Sequence, residues 1–276
     1  MTDSRQTRLT DEEIRTYQQE GLVIPDYRLP EDLLQRMRAE VDDLIERHPD
    51  VRPELLSGPH NPWGQSAQVL GTEAWLEFCR FPEILDMVEQ LIGPDIILWG
   101  SQLFCKPAGH GMAVPWHQDA QYWPIHPPAT VTVRIAIEDS LPENACMRYI
   151  PGSHHDHQVY GHEMLDRADV AVKQQIPDVD EEQARDDALL AGQISLHDLF
   201  LVHGSGENRS SKRRADYAIR YMPASSLYVR DPAHPANVYA ASKSPLMRYT
   251  QRPLWLVRGA DRAGNDFDIG HRPMSY

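Results

Sequence analysis

The sequence predicts a mainly β domain, a sandwich or barrel, fronted by helices. Three observations predict it. Apolar residues recur at steps of three and four up to about Ile92. From Asp95 onward they change to short runs rich in Val, Ile, Tyr and Phe. Turns rich in Gly, Pro and Asn separate those runs. The chain has 276 residues, which fits one large domain, or two at most, at roughly 100–200 residues per domain.

Taken in order, Leu9-Thr10-Asp11-Glu12-Glu13 offers an N-cap at Thr10 and a Glu three residues on, a capping box for a first helix that should end near Gly21. Leu22 to Pro25 reads as a short strand. Leu29-Pro30-Glu31 opens a second helix, with Leu33, Leu34, Met37, Val41, Leu44 and Ile45 on one face. Pro53 to Gly64 reads as loop, and Glu73 to Ile92 as a third helical stretch ended by Gly93-Pro94. The predicted strands are Ile96–Trp99, Gln102–Cys105, Val131–Ile137, Met147–Ile150, Gln193–Leu196, Leu199–Val202 and Tyr217–Met222. Residues 162–190 interrupt them with a charged, partly helical insertion, long enough for a lid or binding loop and equally compatible with a solvated acidic surface. The C-terminal stretch from Arg258 to Tyr276 is polar and Gly-rich, suited to cap a barrel mouth or to stay disordered.

Composition excludes several function classes. There are 27 Lys+Arg against 41 Asp+Glu, a formal charge of −14 that repels phosphate backbones and anionic lipid. No apolar run approaches the ~20 residues needed to span a bilayer, and no signal peptide is visible. Cys79, Cys105 and Cys146 are odd in number and widely spaced, which argues against a disulfide framework and for a reducing cytoplasm. The expected partner is a small-molecule substrate, not nucleic acid or membrane, and the sequence leaves homo-oligomerisation open.

Chemistry concentrates in Pro115-Trp116-His117-Gln118-Asp119. On an extended chain His117 and Asp119 point to the same face and can grip one metal. The best third ligand is His203, in Leu201-Val202-His203-Gly204-Ser205-Gly206. Two His and one carboxylate leave three adjacent positions open, as in non-heme Fe(II) oxygenases: two for a chelating 2-oxo acid and one for O₂. His154-His155-Asp156-His157 holds a competing H-x-D, but it follows Pro151-Gly152-Ser153 and reads as a turn, with weak surface metal binding as the alternative.

Three blocks in this order resemble the phytanoyl-CoA dioxygenase family of Fe(II)/2-oxoglutarate oxygenases. They are Trp116-His-Gln-Asp-Ala-Gln-Tyr-Trp-Pro, Pro142-Glu-Asn-Ala-Cys-Met-Arg-Tyr-Ile-Pro-Gly-Ser-His154 and His203-Gly-Ser-Gly-Glu-Asn-Arg-Ser. The opening Leu-Thr-Asp-Glu-Glu…Gly-Leu-Val-Ile-Pro is also similar, so the resemblance covers about residues 8–222.

The resemblance implies a double-stranded β-helix, a jelly roll of two sheets buttressed by helices. The whole chain would form one dioxygenase domain: a helical part to about residue 94, the jelly-roll core to about 225, and an extension over 226–276. It implies Fe(II) on His117, Asp119 and His203, with O₂ and 2-oxoglutarate as co-substrates. An Arg eleven residues past the distal His holds the far carboxylate of 2-oxoglutarate; here that is Arg214, with Arg213 and Arg220 as rivals. A guanidinium fork suits a carboxylate better than Lys212 would. Ser205 and Gln102 match positions beside the co-substrate. Halogenating relatives replace the metal carboxylate with a small residue; Asp119 is present, so hydroxylation is expected.

Two departures stand out. Ala145 occupies the usual Gly of an Asn-Gly-Cys turn, a strained place for Ala if φ is positive. Arg134 lies in an apolar strand where many members carry an aromatic, and a buried Arg needs an anionic partner. The partner is a substrate anion, the inner carboxylate of 2-oxoglutarate, or a structural acid such as Glu138 or Asp139. Tyr122 and Trp123, with Trp116 and His126 nearby, are either pocket lining or packing. The expected function is hydroxylation of a small polar, anionic or zwitterionic metabolite, such as an amino acid derivative, organophosphonate or quaternary amine, or of a natural-product scaffold. The rivals are a cupin-like isomerase or hydrolase using the same triad, an inactive binding barrel, and an interaction protein.

Overall fold

Strand Arg214–Pro223 alternates apolar and polar side chains, and this alternation organises the molecule. The structure is a computed structural model that describes residues 6–63, 69–243 and 248–271. Arg214–Pro223 pairs antiparallel with Val131–Ala136 on one side and Ile96–Lys106 on the other. Ile194–Asp198 and Leu22–Val23 extend the sheet beyond Val131–Ala136, and Trp255–Arg258 and Leu56–Ser57 pair with Ile96–Lys106. A smaller antiparallel sheet runs Arg185–Asp187, Met147–Tyr149, His203–Ser205, Val114–His117.

Period 2 sends Ala215, Tyr217, Ile219 and Tyr221 to one face of the large sheet, with Val131, Val133 and Ile135 beside them, all buried. The helices cover that face. The first, Asp11–Glu20, starts on the expected capping box: Thr10 Oγ1 accepts from Glu13 N–H, and Glu13 Oε2 accepts from Thr10 N–H at 2.7 Å. Gly21 ends it at φ +80°, a left-handed conformation that glycine adopts without a Cβ clash. The second, Glu31–Arg47, buries Leu33, Leu34, Met37, Val41 and Leu44 in the core formed with Trp75, Phe78 and Met87. Each such burial contributes about 1.5–3 kcal/mol. Tyr221 donates to the Cys79 carbonyl at 2.8 Å, tying sheet to helix. The opposite face carries Arg214, Asp216, Arg220, Thr132, Arg134 and His197 toward the small sheet.

Several local expectations differ from what the structure holds. The third helical stretch is two helices, Glu73–Phe78 and Pro82–Ile92, because Pro82 has no N–H to continue the first and sits well at the start of the second. The runs 96–99 and 102–105 are one strand, since Arg214–Pro223 pairs with it continuously through Gly100 and Ser101. Leu199–Val202 is a buried turn, and the strand begins at His203. The 162–190 insertion has no α-helix; its Arg185–Asp187 segment forms the edge of the small sheet. Pro53–Leu55 is a 3₁₀ turn and Leu56–Ser57 a strand, while Gly64 and residues 272–276 lie outside the described residues. The three cysteines are free and buried, and burial pushes each thiol up to about 12. Among the described residues no helix is long and apolar enough to cross a membrane.

Candidate metal centre and pocket

His203 pairs in register with His117 across two strands of the small sheet, so the two imidazoles face one another with ring centroids 4.2 Å apart. Asp119 opens a 3₁₀ turn two residues past His117. Its Oδ1 lies 3.8 Å from His117 Nε2. Among the described residues this is the one group of His, Cys, Asp or Glu with three donor atoms within 4.8 Å of one another, and all three residues are buried.

The ring orientations suit a metal. His117 Nδ1 bonds the Pro115 carbonyl at 2.8 Å and His203 Nδ1 bonds the Leu201 carbonyl at 2.9 Å. A carbonyl only accepts, so each Nδ1 carries the proton and each Nε2 keeps its lone pair. Burial lowers the His117 pKa to about 3 and that of His203 to about 4, keeping both neutral. Asp119 stays ionised: burial opposes its charge, but neighbouring His197, His203 and Arg220 outweigh it and hold the carboxyl below its usual range. The donor set and tautomers fit a divalent metal.

The triad opens into a cavity of about 350 Å³ between the two sheets. Gln102, Tyr122, Trp123, Arg134, Ser205 and Arg214 all line it. Arg214 is buried; it donates to the Ala145 carbonyl, and its Nε is 2.9 Å from Asp216 Oδ2, close enough to ion-pair though not aligned as a hydrogen bond. Gln102 donates to the Glu54 carbonyl at 3.3 Å. Ser205 Oγ accepts from Lys106 Nζ at 2.7 Å. Tyr122 stands 5.9 Å from the His117 ring, and Trp123 packs edge-on against Trp99 at 4.6 Å. Ala145 does adopt φ +63°.

Of the three kinds of partner expected for Arg134, the structure places structural acids beside it, though not the two named from the sequence. Its partners are Asp187 and Asp216, the latter at 2.9 Å, and Ser140 at 3.2 Å, not Glu138 or Asp139. Burial opposes its charge, but the two carboxylates hold its pKa above the usual arginine value. Two carboxylates balance the Arg134 charge within the protein. Arg213 pairs with Glu138 and Asp42 at 2.6 and 2.8 Å, away from the cavity. His126 is exposed, and Trp116 hydrogen-bonds Glu181; neither lines the cavity. In the His154–His157 turn, His154 bonds the Gln18 carbonyl at 3.2 Å, and no three-donor cluster forms there.

Sequence reasoning missed four residues at this site. His197 Nε2 lies 3.7 Å from Asp119 Oδ2, on the polar face of Ile194–Asp198. Asp216 and Lys106 neighbour Arg214, and Arg252 comes from the C-terminal extension. The available signal was period 2: His197 and Asp216 are polar positions in alternating strands. Val170 to Lys173 of the insertion and Tyr239 and Tyr249 of the extension also line the cavity.

These features have counterparts among known proteins. The chain is 27% identical over 258 residues to L-proline trans-4-hydroxylase of Streptomyces griseoviridis, a match that covers 83% of this chain and 90% of that one. It is 30% identical over 149 residues to a probable alpha-ketoglutarate-dependent hypophosphite dioxygenase of Stutzerimonas stutzeri, a match covering 52% of this chain and 51% of that one. The solved structure of the non-heme monooxygenase ThoJ superposes with a TM-score of 0.67 at 28% identity, covering 90% of this chain and 84% of that one. The profile of the phytanoyl-CoA dioxygenase (PhyH) family matches residues 17–215. With a buried His-Asp-His site inside that match, the chain belongs to the phytanoyl-CoA dioxygenase family and is a 2-oxoglutarate-dependent dioxygenase that uses Fe(II) and O₂.

Proposed function

We propose that His117, Asp119 and His203 hold the iron, that Arg214 with Ser205 and Gln102 receives 2-oxoglutarate, and that the enzyme hydroxylates a C–H bond of a small polar metabolite in the cytoplasm. The observation that carries this reading is the pair of imidazoles whose Nδ1 protons are fixed by backbone carbonyls, leaving both Nε2 atoms facing Asp119. We read the two sheets as the walls of a double-stranded β-helix, with the chain as one catalytic domain. When bound, iron and 2-oxoglutarate supply the oxidising chemistry, consuming O₂ and releasing CO₂ and succinate. The protein orients the reactants. Arg214 gives the co-substrate carboxylate a charged, buried fork. Asp119 occupies the position that halogenating relatives leave to chloride, which favours hydroxyl transfer. Tyr122 and Trp123 shape the substrate side of the cavity.

Anaerobic titration with Fe(II) and 2-oxoglutarate tests it. A weak visible charge-transfer band of the chelate should appear in the wild type and vanish in His203→Ala. Iron binding with no band in the wild type would remove the co-substrate from this site.

A further inference from the structure

We propose that Arg220 and Arg252 form a receptor for an anionic group of the substrate, so that the enzyme acts on a small organic oxyanion, a carboxylate or a phosph(on)ate. This rests on the reading of the cavity as the oxygenase site.

Both arginines line the same cavity as the metal triad. Arg252 is 4% exposed and Arg220 is half-buried. Among the described residues neither has a carboxylate within ion-pair distance, whereas Arg134, Arg148, Arg213 and Arg214 each do. The Nε of each is buried with no hydrogen-bond partner. Their neighbours are aromatic faces: Arg220 stands 5.2 Å from the Trp123 ring, and Arg252 stands 5.6 Å from Trp99 and 4.2 Å from Tyr249. Cation–π contact orients a guanidinium but does not neutralise it. Arginine cannot shed its proton. Asp119 acts on Arg220 across the cavity but lies beyond ion-pair distance and belongs to the metal triad, so two such charges still call for an anion from outside. His60 is buried beside them and does not supply one; it bonds Ser101 Oγ at 2.6 Å and stays neutral.

The position separates this receptor from the co-substrate site. Arg220 pairs across the sheet with Thr132, whose hydroxyl is 3.5 Å from Asp119 Oδ2. Arg214, six residues before Arg220 on the same strand, pairs with Lys106. At about 3.3 Å per residue their Cα atoms are about 20 Å apart. A five-carbon diacid spans at most about 6 Å. The two heads are also held apart, Arg214 by Ala145 and Asp216, Arg220 by the Trp123 ring.

The test uses enzyme loaded with Fe(II) and saturating 2-oxoglutarate under nitrogen, with phenylphosphonate as probe and its neutral dimethyl ester as control. Calorimetry should show the anion binding at least tenfold more tightly than the ester. Arg220→Met and Arg252→Met should each weaken the anion at least tenfold, with partial rescue by Lys. The chelate band and 2-oxoglutarate affinity should stay within twofold in Arg252→Met and in Arg220→Lys, which keeps a positive charge near Asp119. Equal binding of probe and ester, or of probe to wild type and variants, overturns the receptor. So does an Arg252→Met variant that loses the chelate band, because Arg252 would then serve the co-substrate. The wild-type comparison of anion and ester decides the matter even if a variant does not fold. A wild type without the band would instead fault the oxygenase reading beneath the proposal.

Discussion

Asp216 holds Arg214 from the same face of the same strand, with Asp216 Oδ2 2.9 Å from Arg214 Nε. The same oxygen accepts from Arg134 Nη2 at 2.9 Å. One carboxylate thus contacts both Arg214 and Arg134; with Asp187 it balances Arg134, and it leaves part of the charge on Arg214 for a ligand.

Asp216→Asn should therefore act on stability and co-substrate together. Removing one member of a buried ion pair typically costs about 3–5 kcal/mol, because the partner charge stays behind. Urea unfolding should show a loss in that range, and 2-oxoglutarate should bind more weakly to the refolded protein. An unchanged urea midpoint would mean that Asp187 alone suffices for Arg134.

Acid should destabilise the metal-free protein above the range in which carboxylates titrate. His60, His117 and His203 are depressed to about 3, about 3 and about 4, from an ordinary value of 6.5, chiefly by burial. The unfolded chain takes up these protons first. The stability they contribute is complete above about pH 6.5 and is lost as pH falls toward 4 and 3, at up to about 1.4 kcal/mol per pH unit for each His. The Tm of the apoprotein should fall steadily from pH 7 to pH 5. A flat profile over that interval contradicts the buried neutral imidazoles.

Lys106 should give a second slope on the alkaline side. It is fully buried, and burial beside Arg214 lowers its pKa to about 6 from 10.5. Between those values the unfolded chain binds more protons, so stability rises with pH across the window. Lys106→Met should flatten this rise and stabilise the protein at pH 7 by about 1 kcal/mol, after allowing for the lost hydrogen bonds to Ser205 and Gly206. Parallel pH–Tm curves for wild type and variant would show that the ammonium stays charged.

Ala145→Gly should stabilise. Ala145 sits at φ +63°, ψ +58°, where an L side chain costs roughly 1–2 kcal/mol and glycine loses somewhat less in chain entropy. A net gain of about 0.5–1 kcal/mol, or about 2 °C in Tm, is expected. Because Ala145 O accepts from Arg214, the 2-oxoglutarate affinity of the variant should also be measured; it should not change if the turn keeps its shape.

The helical front was legible because its signals are local: the Thr10 capping box, Gly21 and the apolar stripe from Leu33 to Leu44 need no long-range partner. The metal triad was legible because His117 and Asp119 are adjacent in sequence and His203 lies in a block with a family signature. Errors fell where pairing overrides local pattern. Residues 96–106 became one strand because neighbours on both sides supply hydrogen bonds, and 185–187, acidic in sequence, became a sheet edge against Met147–Tyr149.

By itself the sequence determined the class of chemistry: three metal donors, an arginine eleven residues past the last of them, and a β core behind capped helices. The tertiary structure alone decided what each buried charge is for. Arg134 and Arg220 are both arginines in apolar strands, indistinguishable by pattern. Asp187 and Asp216 meet Arg134, whereas no described carboxylate lies within ion-pair distance of Arg220 and Asp119 acts on it only from further off. That difference arises from residues far apart in the chain, because a buried charge is settled by whichever counter-charge folding brings within a few ångströms.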